Sequence, residues 1–172
     1  MGKRSNFERN PRDYYPTPES AILPLLPHLQ PHMRFAEPCA GDGRLSKHLI
    51  KHGHACYWQS DIDPQSAYVQ QADALKITNP LKWADIIITN TPWDRKILHP
   101  MIEHFRTLNA AWLLLDADYA HTKQASQYLK YCSWIVSVGR IKWIDESKST
   151  GKENACWYKF EMNPCETIFW GR

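Results

Sequence analysis

Arg34-Phe-Ala-Glu-Pro-Cys-Ala-Gly-Asp-Gly-Arg-Leu45 is the stretch on which the reading of the fold turns. Arg34–Pro38 reads as a short strand, Gly41 and Gly43 follow it, and a run with helical spacing begins at Leu45. Glycine lets a backbone turn sharply and approach a ligand closely, and a helix opening behind such a turn presents unpaired N–H groups. Leu45–His52 places Leu45, His48, Leu49 and His52 along one side, with Gly53 as its stop. His54–Ser60 is a second strand, closing at Asp61-Ile-Asp-Pro64.

The alternation continues on both sides of this unit. Upstream, Thr17 is placed to cap a helix with Pro18 at its first position, and Pro24, Pro27 and Pro31 limit its length. Downstream, a short helix is expected around Gln65–Gln71, then a strand end at Asp73-Ala-Leu75 and a buried strand at Ala84–Thr89. Ile97, Met101, Ile102 and Phe105 recur at helical spacing within Lys96–Leu108. Ala110–Leu115 is another buried strand and His121–Tyr131 another helix, its cap expected at Asp118. Trp134–Ile144 and Ala155–Met162 read as strands around the polar turn Asp145–Asn154. The fold class expected is α/β: an open, mostly parallel sheet with helices on both faces, closed by a C-terminal antiparallel hairpin. Such sheets bind ligands beyond the carboxyl ends of their strands.

Composition narrows the field. The chain has 172 residues with 43% hydrophobic and 23% charged, enough for one sizeable core without a disulfide or metal staple. Ala110–Leu115 is far too short an apolar run to span a bilayer, and the first residues lack the apolar stretch of a secretory signal. Cys39, Cys56, Cys132, Cys156 and Cys165 stand singly, which suggests reduced thiols and a cytoplasmic protein. A net charge of +3 excludes a strongly basic coat. Residues 1–13 hold Lys3, Arg4, Arg9 and Arg12 and are expected to be a flexible basic arm, with 14–172 a single domain. Eight Trp residues are the compositional oddity.

The acids around the glycine turn indicate its ligand. A phosphate loop would need Gly-x-x-x-x-Gly-Lys-Ser/Thr, which fails here, and the third glycine of a dinucleotide fingerprint is replaced by Ser46. Asp61, at the end of the second strand, can accept from both hydroxyls of a ribose, and Asp73 lies where an acid can meet an exocyclic amine. Glu37 precedes the turn, where a carboxylate repels phosphate and attracts a sulfonium or ammonium. This set suits S-adenosylmethionine better than NAD or ATP. His99 and His104, with Glu103, are spaced five apart where zinc sites on helices favour His-x-x-x-His, and no Cys pair exists; His48 and His52 have that spacing, but no Glu follows His48, so no metal is expected. Cys39 is expected to pack and not to react.

On these residues the chain resembles the class I methyltransferases. Glu37-Pro38-Cys39-Ala40-Gly41-Asp42-Gly43 looks like their glycine-rich motif, Asp61-Ile62 like the ribose-binding acid, and Asp73-Ala74-Leu75 like the adenine-binding position. Asn90-Thr91-Pro92-Trp93, after the Ala84–Thr89 strand, resembles the Asn/Asp/Ser-Pro-Pro-aromatic motif of enzymes that methylate exocyclic amines, especially N6 of adenine. The resemblance implies that the Asn90 side-chain oxygen and the carbonyl of Thr91 hold the two amine hydrogens. It implies that Trp93 stacks on an extruded base, and it assigns Asn90 to the cofactor's edge as well. Thr91 departs from the motif, leaving the carbonyl in place but losing proline's rigidity. Asp13-Tyr-Tyr-Pro-Thr-Pro18 resembles the N-terminal motif of the adenine-N6 group, which implies that Tyr15, Thr17 and Pro18 line the methionine end of the cofactor. Lys148 and Lys152, in the hairpin turn between Trp143 and Trp157, are candidates for a nucleic-acid backbone.

From Tyr14 to Phe160 the chain is similar to small phage and prophage adenine methyltransferases. That likeness implies a seven-stranded sheet, a bacterial or phage-infected host cell, and DNA as partner. RNA, a protein glutamine amide and a non-catalytic binding module are the alternatives. With no segment left for a target-recognition domain, a relaxed or short recognition site is expected, in a monomer or weak dimer that a partner protein could direct.

Overall fold

The computed structural model describes residues 14–144 and 150–172, so the N-terminal arm and Lys148 lie outside the described residues. Eight strands form one sheet: β1 Arg34–Glu37, β2 Ala55–Asp61, β3 Gln70–Gln71, β4 Ile86–Asn90, β5 Ala111–Asp116, β6 Cys132–Arg140, β7 Asn154–Phe160 and β8 Ile168–Trp170. Their order across the sheet is β3-β2-β1-β4-β5-β7-β6-β8. β7 runs antiparallel to both β5 and β6, and the remaining pairs are parallel. The expected α/β fold with a closing antiparallel hairpin is therefore observed. β8 is an addition to the seven strands expected, pairing Trp134 with Ile168 and Val136 with Trp170.

Alternate residues along the central strands feed two cores. Ile87, Leu113, Leu115, Tyr158 and Phe160 face one way, packing on Leu81 and on Leu98, Ile102 and Phe105 of α4, Arg95–Leu108. Ile86, Ile88, Trp112, Leu114 and Trp157 face the other, against Ile22 of α1 (Glu19–Ile22) and Leu45 and Leu49 of α2 (Arg44–Lys51). The period of two in a strand thus splits each apolar run between two helical layers. Trp157 is fully buried, and its indole N–H donates to the Ala21 carbonyl at 2.8 Å, which ties β7 to α1.

Five local expectations are corrected. Residues 65–71 form no helix: Val69 is the one buried residue there, Tyr68 is 83% exposed, and the segment ends as β3 beside Ser60 and Asp61. Asp73-Ala-Leu75 is a turn and not a strand end, with the Asp73 carboxylate accepting from Leu75 N. A short α3, Asn79–Trp83, follows it, too brief to show a period, with Leu81 as its buried residue. His121–Tyr131 is no continuous helix but two 3-10 turns, Ala117–His121 and Lys123–Ala125, leading into α5, Ser126–Leu129. The cap there is Asp116, which accepts from Asp118 N, so the expectation for Asp118 moves two residues upstream. Finally, Thr17 does not cap α1; Pro18 takes that position and the Thr17 hydroxyl is used elsewhere.

Candidate active site

The carboxyl ends of β1, β2 and β4 converge on a cleft of about 690 Å³, within the range of small-ligand pockets. The glycine turn forms its floor. Gly41 and Gly43 adopt φ of +54° and +77°, a region that strains residues with a Cβ. The turn is pinned at several points: Ala40 N donates to Ser60 O at 2.9 Å, Gly43 N to Ala40 O at 2.7 Å, and Gly41 N to the Asp61 carboxylate at 2.8 Å. Tyr14 lies across it so closely that a Cβ on Gly41 would stand 2.5 Å from Tyr14 Cε2.

Of the residues expected to hold a cofactor, Tyr15, Thr17, residues 37–42, Asp61, Ile62, residues 73–75 and Asn90 line the cleft. Pro18 and Gly43 do not; Gly43 caps α2 from outside it. Tyr14, Pro16, Leu45, Asp63, Gln65, Ile97 and Met101 also line it and were not anticipated. Ile97 and Met101 belong to the helical pattern of α4, where periodicity signals a core face but cannot tell which residue borders a cavity.

The walls carry five acidic side chains, Asp42, Asp61, Asp63, Asp73 and the buried carboxyl of Glu37. That density disfavours a phosphate chain and favours a cation. Glu37 is 1% exposed and receives the hydroxyl of Ser46. Burial pushes its carboxyl up to about 8, with the charges of Asp42 and Asp61 acting in the same sense. Asp61 accepts one backbone N–H on each oxygen, from Gly41 and from Asp63 at 2.8 Å each. A carboxylate offers about four lone-pair sites, so capacity for two ligand hydroxyls remains. Burial raises the Cys39 thiol far above its ordinary value, and its sulfur rests 4.0 Å from Met101 Sδ, in keeping with a packing residue.

Beyond β4 the chain turns through Asn90, Thr91, Pro92 and Trp93. The Asn90 side-chain amide donates to the Tyr15 carbonyl at 3.4 Å and to the Thr17 hydroxyl at 3.2 Å. A carbonyl only accepts, so the amide nitrogen must face Tyr15 and the amide oxygen is turned from it. Pro92 lines the cleft, whereas Thr91 is buried and its hydroxyl finds no partner among the described residues. Trp93 is half-buried, packs against both cores and does not line the cleft. Its indole N–H donates to Leu114 O at 3.0 Å, and its ring meets Trp143 edge-on at 6.0 Å, which in turn lies 6.0 Å from Tyr15. Lys152 is exposed in the hairpin turn and away from the cleft lining. Elsewhere His52 meets Glu19 at 2.9 Å and His104 meets the Ile77 carbonyl at 2.8 Å.

No family model matches the chain, and no curated protein matches it. Solved structures do. A candidate RNA methyltransferase from Pyrococcus horikoshii superposes with a TM-score of 0.61 at 15% identity, over 92% of this chain and 93% of that one. The modification subunit of a candidate type I restriction enzyme from Vibrio vulnificus gives 0.59 at 11% identity, over 92% of this chain and 47% of that one. A dimethyladenosine transferase from Plasmodium falciparum gives 0.53 at 15% identity, over 83% and 60%. The chain has the Rossmann-like fold of the class I methyltransferases. Among the described residues no helix is long and apolar enough to cross a membrane.

Proposed function

We propose that this chain is an S-adenosylmethionine-dependent methyltransferase acting on the exocyclic N6 amine of adenine in DNA, at a relaxed or short site. The observation that carries the reading is the joining of two half-sites in one cleft: an acid-lined glycine turn, and an Asn90 whose amide nitrogen is held by the Tyr15 carbonyl and the Thr17 hydroxyl, which leaves the amide oxygen free of those two groups. The residues fit the cofactor, since a cleft lined by Asp42, Asp61, Asp63 and Asp73 suits a ligand carrying a sulfonium and an ammonium. Glu37 and the Gly41 backbone would hold the methionine end, Asp61 the ribose and Asp73 with Leu75 the adenine. When bound, the cofactor supplies an electrophilic methyl group. The protein then orients the amine: Asn90 Oδ1 and the Thr91 carbonyl accept its two hydrogens, draw the nitrogen toward tetrahedral geometry and raise its nucleophilicity. Trp93 would take its stacking part through movement of the turn or the edge of its ring. Lys152 would touch the nucleic-acid backbone, as would Lys148, four residues before it in the sequence.

RNA is the second reading, favoured by the near-full-length likeness to a candidate RNA methyltransferase. Transfer of tritiated methyl to unmethylated DNA and to total RNA in parallel, followed by nucleoside analysis, tests both. Label in N6-methyladenine from DNA supports the proposal, and label from RNA alone favours the second reading. Label only in protein defeats both.

A further inference from the structure

Thr17 sits in a segment whose family likeness points to the cofactor, yet among the described residues its side chain hydrogen-bonds to Asn90. It is 4% exposed, and its Oγ1 accepts from Asn90 Nδ2 at 3.2 Å while the Tyr15 carbonyl accepts from the same nitrogen at 3.4 Å. From the proposed function above, we infer that Thr17 and the Tyr15 carbonyl are positioning groups for the target amine, fixing the rotamer and the flip of Asn90 so that Oδ1 is presented to the substrate.

The chemistry requires such a device. The two ends of an Asn side chain differ only in which atom accepts, and a flipped amide would point N–H donors at an amine that itself donates. Rotation in place would set Oδ1 against the Tyr15 carbonyl oxygen, two acceptors facing each other. The backbone carbonyl supplies the discrimination, because it cannot change role. The threonine hydroxyl supplies a second anchor and prevents the amide from swinging about its terminal torsion, which is otherwise soft.

The same five residues, 14–18, also reach the glycine turn, where Tyr14 covers Gly41. One short segment therefore touches the cofactor floor at Tyr14 and the amine acceptor at Thr17.

The test compares Thr17→Val, which keeps the shape and removes the acceptor, with Thr17→Ser, which keeps both hydroxyl and acceptor. The Asn90 side-chain N–H pair is assigned in a ¹⁵N spectrum by its loss in Asn90→Ala, and its exchange with water is followed without any substrate. Slow exchange in the wild type, acceleration in Thr17→Val and restoration in Thr17→Ser are expected. On the active enzyme, Thr17→Val lowers kcat about fivefold to tenfold, the equivalent of one lost hydrogen bond, while Kd for S-adenosylhomocysteine stays within about twofold.

Unchanged exchange in a folded Thr17→Val protein overturns the inference. So does a loss confined to cofactor Kd with kcat intact, which would make Thr17 a cofactor contact only. Thr17→Ala serves in place of Thr17→Val if the valine variant does not fold. Should the wild type methylate nothing, the functional reading fails, and the exchange measurement alone still decides whether these groups hold Asn90.

Discussion

Glu37→Gln should flatten the dependence of stability on pH. In the folded chain the Glu37 carboxyl is pushed from its ordinary 4.5 to about 8 by burial. The sign follows from proton counting: between these values the folded state keeps a proton that the unfolded state has released, so stability falls as pH rises through that window and levels off above about 8. Each pH unit inside the window is worth roughly 1.4 kcal/mol, so between pH 6 and pH 8 this group removes about 2 kcal/mol. A glutamine keeps an oxygen to accept the Ser46 hydroxyl and has no proton to release. Urea unfolding of both proteins at pH 6, 7 and 8, with the difference between them taken at each pH, isolates the effect. Glu37→Gln should gain on the wild type as pH rises. Parallel profiles would refute the assignment of a buried, protonated carboxyl beneath the glycine turn.

Three further outcomes are expected. The affinity for S-adenosylmethionine should tighten on the order of tenfold between pH 7 and pH 8.5 as Glu37 ionises beside a cation; calorimetry in two buffers of different ionisation heat should show proton release that Glu37→Gln abolishes. Gly41→Ala places a Cβ at φ +54° and against Tyr14, costing about 1–2 kcal/mol in backbone strain alone; thermal unfolding should report that loss, and cofactor binding should weaken further because Tyr14 must leave the turn. Thr91→Val removes a buried hydroxyl that lacks a partner among the described residues while sparing the backbone carbonyl. Denaturant unfolding should show it about 1 kcal/mol more stable, with methyl transfer retained.

The legible parts of this fold were those with strong local signals. The Ile86–Ile88 run, the glycine turn and the helix carrying Ile97, Met101, Ile102 and Phe105 all lie where periodicity and glycine placement put them. The acids at 37 and 61 were readable because each closes a strand at the carboxyl end of the sheet, whereas Asp73 opens a turn and not a strand end, yet lines the same cleft. Residues 65–71 were misread because short polar segments take their conformation from tertiary pairing, here of Gln70 and Gln71 with β2. β8 was missed for a related reason: three exposed residues carry no alternation, and only their pairing with Trp134–Val136 makes them a strand. Thr17 shows the limit most clearly, since cap chemistry and cleft chemistry ask for the same residue type, and the separation between Thr17 and Asn90 in the chain hides their contact.

The Trp surplus also divides by place. Trp112 and Trp157 are core, while Trp134 and Trp170 pack with His28 at the edge closed by β8. Trp93 and Trp143 form a third group that runs to Tyr15, which lines the cleft.

The central claim is that the Asn90 turn presents an adenine amine to a cofactor held by the glycine loop. Its most direct test is mass spectrometry of nucleosides from the DNA of a bacterial host that lacks adenine methylation of its own, expressing either the wild type or Asn90→Ala. N6-methyladenine with the wild type and none above background with Asn90→Ala is the result predicted. No modified adenine in either, or the same amount in both, would contradict the account.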